Sequence, residues 1–203
     1  MELDALELRY GSTLRVGPVS ARLGPGIHHL RGENGCGKTS LMRCLSGSLR
    51  PSAGRCVVSG EDVWQGHSAR GRVGYVPSHP ELPTFLNVRE AWQFHASMRG
   101  KPGWTPGVWG ERLGLDPSLP LEIASAGQRR RAELLAALAA DPDVLLMDEV
   151  FAYLDVQSVQ VVCELLEQLR AHRAIVITAH HDLPLTPDSE ATLRFDTPLQ
   201  WTA

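Results

Sequence analysis

The sequence predicts an α/β chain: a mostly parallel sheet with helices packed on it, and a mostly helical lobe inserted into that core. Two observations carry the prediction. Residues 144–147 and 174–178 are short, nearly continuous apolar runs, the pattern of strands buried on both faces, and Ile27 to Leu30 reads as a short buried strand behind a turn. Segments with apolar residues at helical spacing separate them, and such alternation of strand and helix packs as a parallel sheet covered by helices. Taken in order, residues 3–8 mix apolar and polar positions as an early strand does. Gly24-Pro25-Gly26 makes a turn, and 27–30 form the first buried strand. A glycine-rich loop then opens a helix over about 38–48, with Leu41, Met42, Leu45 and Leu49 on one face, ended by Pro51 and Gly54. Residues 73–76, Val-Gly-Tyr-Val, read as a strand closed by Pro77.

From about 78 to 126 prolines, glycines and aromatics accumulate, and this stretch reads as the helical lobe within a single domain over 1–203. Asn87 followed by Glu90 three residues on has the form of a helix N-cap, which predicts a helix over 89–98. Trp92, Phe94 and Trp104 are expected in the core of the lobe. Residues 128–140, rich in Ala, Leu and Arg, predict a helix stopped by Asp141-Pro142, with Arg129, Arg130 and Arg131 as its solvated face. Residues 156–170 predict another helix, 174–178 a buried strand, and 191–201 one or two short edge strands.

Composition narrows the function. The chain has 203 residues, 20 basic against 23 acidic, for a net charge of −3. That balance argues against a general nucleic-acid binder. No apolar run approaches the roughly 18–20 residues a membrane span needs. Acids precede any apolar run at Met1-Glu2-Leu3-Asp4, which argues against a secretory signal. Cys36, Cys44, Cys56 and Cys163 form no C-x-x-C pair and are expected to be reduced thiols. The neighbours His28-His29 and His180-His181 point apart on a strand or loop, so neither pair alone reads as a metal site.

The most informative segment is Gly32-Glu33-Asn34-Gly35-Cys36-Gly37-Lys38-Thr39-Ser40, which fits G-x-x-x-x-G-K-[ST] between a strand and a helix. Glycines let successive backbone N–H groups turn inward around phosphate oxygens, Cys36 taking part through its own N–H. The positive end of the following helix faces the same anion. Lys38, one of only two lysines, is suited to neutralise β- and γ-phosphates, and the Thr39 hydroxyl to ligate Mg²⁺. Guanine recognition would need N-K-x-D, and neither Asn34 nor Asn87 precedes a lysine. Further on, the apolar run at 144–147 ends in Asp148-Glu149. Asp148 there suits the Mg²⁺ shell, and Glu149 suits polarising a water for attack on a γ-phosphate.

With Ala124-Ser125-Ala126-Gly127-Gln128 upstream, Ala152-Tyr153-Leu154-Asp155 after the acids and Thr178-Ala179-His180 at the end of the last core strand, the ordered motifs resemble the ATP-binding subunits of ABC transporters. The resemblance spans residues 10–182. It implies a P-loop NTPase core of ABC type with an antiparallel β part at the N-terminal end. It implies ATP and Mg²⁺ as ligands, with Tyr10 stacking on adenine, and Thr39, Asp148 and Ser78 at the metal. Glu149 and His180 are the implied catalytic pair, His181 being the competing switch residue because His181-Asp182-Leu183 also fits. Ser125, Ala126, Gly127 and Gln128 would clamp the ATP held by another subunit, and Asp155 would lie in the loop between subunits. The implied partners are a second ATPase subunit, in a homodimer or heterodimer, and a transmembrane transporter subunit; no nucleic acid is expected. The implied location is the cytoplasmic face of the cell membrane, held peripherally.

Three departures accompany the resemblance. Alanines replace the leucine and one glycine of the family's L-S-G-G-Q signature, and the methyl of Ala126 crowds a close backbone-to-phosphate approach. After Pro77 stands Ser78-His79 where the family has a glutamine, and Val150 replaces a frequent proline. The first two motivate an alternative, a degenerate regulatory subunit paired with an active ATPase. A soluble ABC-type ATPase of DNA maintenance or translation is a further alternative, although its usual coiled-coil insertion or second ATPase domain has no room here. Cargo is not read from this subunit and the direction of transport stays open, with export favoured weakly over import.

Overall fold

The computed structural model describes residues 1–10, 14–103, 105–139, 141–179, 182–194 and 199–202, without the side chains of 10, 14 and 15. Two sheets organise it. Strands β1 (Glu2–Tyr10), β2 (Leu14–Arg22), β4 (Ala53–Val58) and β5 (Glu61–Asp62) form an antiparallel sheet in the order β2-β1-β4-β5. The larger sheet runs β10-β9-β3-β8-β7-β6. In it β3 (Gly26–Arg31), β8 (Ala174–Thr178), β7 (Val144–Asp148), β6 (Val73–Val76) and β9 (Ser189–Thr192) are parallel to their neighbours, and only β10 (Trp201–Thr202) is antiparallel.

The central strands obey a period of two that sorts residues between two cores. Leu145, Met147, Ile175 and Ile177 face one core. It is built with α3 (Val88–Met98), α5 (Ala126–Leu138) and α6 (Val156–Leu169). Val144, Leu146, Ala174 and Val176 face the other, shared with α1 (Lys38–Leu45) and the antiparallel sheet. Both faces of β7 and β8 are therefore dry, which is why these strands read as unbroken apolar runs. Truncating Leu145 or Leu146, both wholly buried, costs about 2–5 kcal/mol by the usual cavity argument.

Between β6 and β7 lie α3, the short α4 (Val108–Arg112) and α5; another short helix, α2 (His67–Gly71), precedes β6. The Asn87/Glu90 capping box forms as the sequence predicts: the Asn87 side chain accepts from the Glu90 N–H at 2.9 Å, and Glu90 accepts from the Asn87 N–H at 2.8 Å. Trp92 is buried, but Phe94 is half-exposed, which corrects its assignment to the lobe core; Trp104 lies outside the described residues. The cysteines at 36, 44, 56 and 163 are free thiols, as expected. No helix among the described residues is long and apolar enough to cross a membrane.

Candidate functional site

The loop from Gly32 to Gly37 joins β3 to α1. Gly37 is the N-cap of α1, with φ at +101°, and a Cβ there would lie 2.5 Å from Val16 Cγ2; only glycine satisfies both conditions. No side chain caps α1 and its first turn holds no acid. Its leading N–H groups thus have no side-chain acceptor, the condition for receiving an anion. Lys38 is buried, its ammonium folded back to donate to the carbonyls of Gly32 (2.7 Å) and Glu33 (3.0 Å). These bonds hold the only cation of the loop over the backbone that would surround a phosphate.

A cleft of about 580 Å³ opens beside the loop, a size suited to a small-molecule ligand. Asn34, Gly35, Gly37, Lys38, Thr39 and Ser40 line one side; Ser78, His79, Glu149 and Tyr153 are also in its wall. Residues far apart in sequence and predicted to act together thus share one surface.

The two acids at the end of β7 are set by β8. Asp148 pairs with Thr178 in parallel register. The Thr178 hydroxyl donates to Asp148 Oδ1 at 2.6 Å and accepts from the Glu149 N–H at 3.0 Å. Asp148 is fully buried, and its Oδ2 has no hydrogen-bond partner in the protein. A buried carboxylate oxygen without a partner is costly, and a hard cation or its water would satisfy it. With the Thr39 hydroxyl in the cleft, this donor chemistry fits Mg²⁺.

Glu149 adopts a left-handed backbone, φ +54°. That conformation costs a non-glycine residue about 1–2 kcal/mol and persists only where neighbours impose it. Here the neighbours are on both sides. The Glu149 N–H also donates to the Thr178 carbonyl at 3.1 Å, and the Glu149 carbonyl accepts from the Ala152 N–H at 3.0 Å and from Arg130 Nη2 at 3.2 Å.

Arg130 corrects the sequence reading most sharply. It is wholly buried rather than on a solvated face. Its guanidinium donates to the carbonyls of Pro77 and Ser78 as well as Glu149. Burial holds its pKa below the ordinary arginine value, opposed by Glu133, Asp148, Tyr153 and Glu149. Glu133, one turn further along α5, is also buried and accepts from the Glu81 N–H at 2.7 Å. Burial pushes its carboxyl up to about 7. The missed signal was helical spacing: position 130 shares a face with Leu134 and Ala137, both buried. Arg131 is half-buried, donating to the carbonyls of Leu113 (2.8 Å) and Gly127 (3.3 Å) and to Ser158 Oγ (3.3 Å).

Ser125, Ala126, Gly127 and Gln128 lie at the start of α5 and are not in the cleft wall. A capping box closes this end: Ser125 Oγ accepts from the Gln128 N–H at 3.2 Å, and Gln128 Oε1 accepts from the Ser125 N–H at 2.8 Å. The serine proton remains available to an acceptor outside. Ser125 and Ala126 are exposed. Gly127 packs against the Tyr153 carbonyl, which a Cβ would approach to 2.8 Å, so this glycine is required by packing within the chain. Asp155 caps α6, accepting from the Ser158 N–H at 2.7 Å, and those Ser158 hydrogen bonds hold its carboxyl below the usual range. Tyr10 closes β1 but its side chain lies outside the described residues, as do His180 and His181.

Residues 17–152 match the model of the ABC transporter family. Nod factor export ATP-binding protein I of Ralstonia nicotianae is 35% identical over 189 residues, covering 89% of this chain and 59% of that protein. Molybdenum import ATP-binding protein ModC of Rhodobacter capsulatus is 36% identical over 168 residues, covering 79% of this chain and 46% of the relative. The chain thus spans only about half to three fifths of these relatives' length. Among solved structures, a dimeric bacterial ABC transporter cassette superposes with a TM-score of 0.81 at 16% identity, covering 95% of this chain and 94% of that one, which establishes the fold.

Proposed function

The chain belongs to the ABC transporter family, and from that premise we propose that it is an ATP-hydrolysing subunit that drives a membrane transporter by ATP-dependent pairing. The observation that carries the proposal is the shared cleft, where Lys38 and Thr39 meet Ser78 and Glu149. Loop N–H groups and Lys38 hold the triphosphate. Thr39 and Asp148 hold Mg²⁺, which supplies charge neutralisation at the phosphates when bound. Glu149 orients and polarises the attacking water, and His180 assists at the γ-phosphate.

The start of α5 serves a second subunit. Its exposed Ser125 and Ala126 sit outside the chain's own cleft, and the solved relative of this fold is dimeric. Two ATP molecules are then buried between two subunits, each held by one loop and one α5 terminus, with Tyr10 against adenine and Asp155 at the seam. The lobe over 78–126 passes the motion to a transmembrane partner, with the chain held peripherally on the cytoplasmic face.

The test is turnover of Glu149→Gln. ATP hydrolysis by the protein, alone and with its membrane partner, is expected to fall at least about 100-fold, the ordinary contribution of a positioned base, while ATP affinity is kept. Unchanged turnover would refute the assignment. A second reading, a regulatory subunit paired with an active one, is favoured by Ala126 and by Ser78 in the glutamine position. Robust hydrolysis by the isolated chain would remove it.

A further inference from the structure

We infer that Arg130 is a positioning residue for hydrolysis, clamping the backbone of Glu149 to the Pro77–Ser78 segment. The inference rests on the reading of Glu149 as the base. Three carbonyls from two distant segments converge on one guanidinium: Pro77 and Ser78 just after β6, and Glu149 just after β7. Ser78 and Glu149 both line the cleft, while Arg130 does not. The arginine therefore acts through its neighbours and not on a ligand.

Energetics favour a specific role over simple packing. Burying a guanidinium completely costs several kcal/mol unless its donors are well used, and a leucine would fill the same helix face without that cost. What Arg130 supplies and leucine cannot is a donor to Glu149, whose left-handed backbone needs external partners. Glu133 extends the same grip by accepting from the Glu81 N–H, so two buried polar side chains one turn apart hold residues 77–81 against α5. Because α5 also begins with Ser125–Gln128, one rigid helix joins the terminus offered to a second subunit to the backbone of Glu149 in the chain's own cleft.

The experiment uses Arg130→Gln and Arg130→Lys in the full chain, each also in a Glu149→Gln background. The readings are kcat, KM, equilibrium ATP binding, Tm and single-turnover cleavage of labelled ATP. Loss of the clamp displaces the carboxylate without touching the loop, so Arg130→Gln is expected to lower kcat about 10–100-fold with KM and ATP affinity within about threefold. Arg130→Lys, which still donates to some of the carbonyls, recovers part of the rate. In the Glu149→Gln background neither substitution lowers cleavage further, because the group being positioned is already gone. Wild-type kcat in both variants would overturn the inference, and so would an equal fold-loss with and without Glu149. If Arg130→Gln fails to fold, Arg130→Lys carries the same readings. If Glu149→Gln alone hydrolyses at the wild-type rate, the assignment of the base falls, and with it the inference; slow Glu149→Gln beside a fully active Arg130→Gln defeats the inference alone.

Discussion

The N-termini of α1 and α5, both proposed to meet phosphate, are built in opposite ways. The start of α1 has a glycine N-cap, no side-chain cap and a buried lysine beside it. The start of α5 is closed by its own Ser125/Gln128 box and has exposed residues around it. At α1 the backbone donors are left for a ligand, so the terminus is an anion site by construction. At α5 the donors are largely satisfied within the chain, and only the serine proton and the outermost amides remain. In the proposed function the first terminus binds ATP by itself, and the second adds to a ligand already held by another copy.

Breaking the α1 end has the largest expected effect on ATP binding. Lys38→Ala removes the one cation of the loop, and ATP affinity is expected to fall about 10–100-fold, the worth of a charge-assisted hydrogen bond. Equilibrium binding of a fluorescent ATP analogue reads this directly, and unchanged affinity would contradict the assignment of the loop.

The anchoring of α5 gives the next effect, seen in stability. Glu133 faces Arg130 on its own helix and Glu81 on the packed segment, and burial raises its carboxyl from 4.5 to about 7. A raised folded-state pKa on an acid means that ionisation is disfavoured in the native state. Stability is therefore fully present below about pH 4.5 and lost as pH rises toward 7. Relative to Glu133→Gln, the wild type is expected to lose about 3 kcal/mol across that window. Denaturant unfolding of both proteins at several pH values checks this, and parallel profiles would contradict it.

Changes at the α5 terminus are smaller. Ser125→Ala is expected to cost about 1 kcal/mol through the lost cap. It should also weaken ATP-dependent pairing about tenfold by removing the donated proton, while leaving ATP binding to the single subunit intact. Ala126→Gly removes the methyl from an exposed position and is expected to strengthen pairing about two- to threefold, the smallest of these effects. If Ser125→Ala weakened ATP binding by the lone subunit as much as Lys38→Ala does, the contrast between the two termini would fail.

The α1 end was legible in the sequence because its chemistry is local: glycine spacing, one lysine and one threonine between a strand and a helix. The Asp148-Glu149 pair was legible for a similar reason, since an apolar run ending in acids needs no long-range information. The Asn87/Glu90 box located α3 to within a residue. Other parts were hidden. The strand β2 contains Gly17-Pro18 and β4 opens with three exposed residues, so neither shows a clean strand period. The run Arg129–Arg131 reads as solvent-facing by charge, yet α5 is buried nearly all round, a fact set by the elements that enclose it. The left-handed turn at Glu149 and its partners Thr178 and Arg130 lie outside any local pattern, because they depend on the register of β7 with β8 and on the packing of α5.

The central claim, that the two termini meet across a pair of chains, is tested most directly by sedimentation of the Glu149→Gln protein with and without ATP. A dimer is expected only with ATP, and one that dissociates about tenfold more readily while ATP stays bound when Ser125→Ala is added. A Glu149→Gln protein that binds ATP yet stays monomeric beside its membrane partner and alone, or a double variant that dimerises equally well, would contradict it.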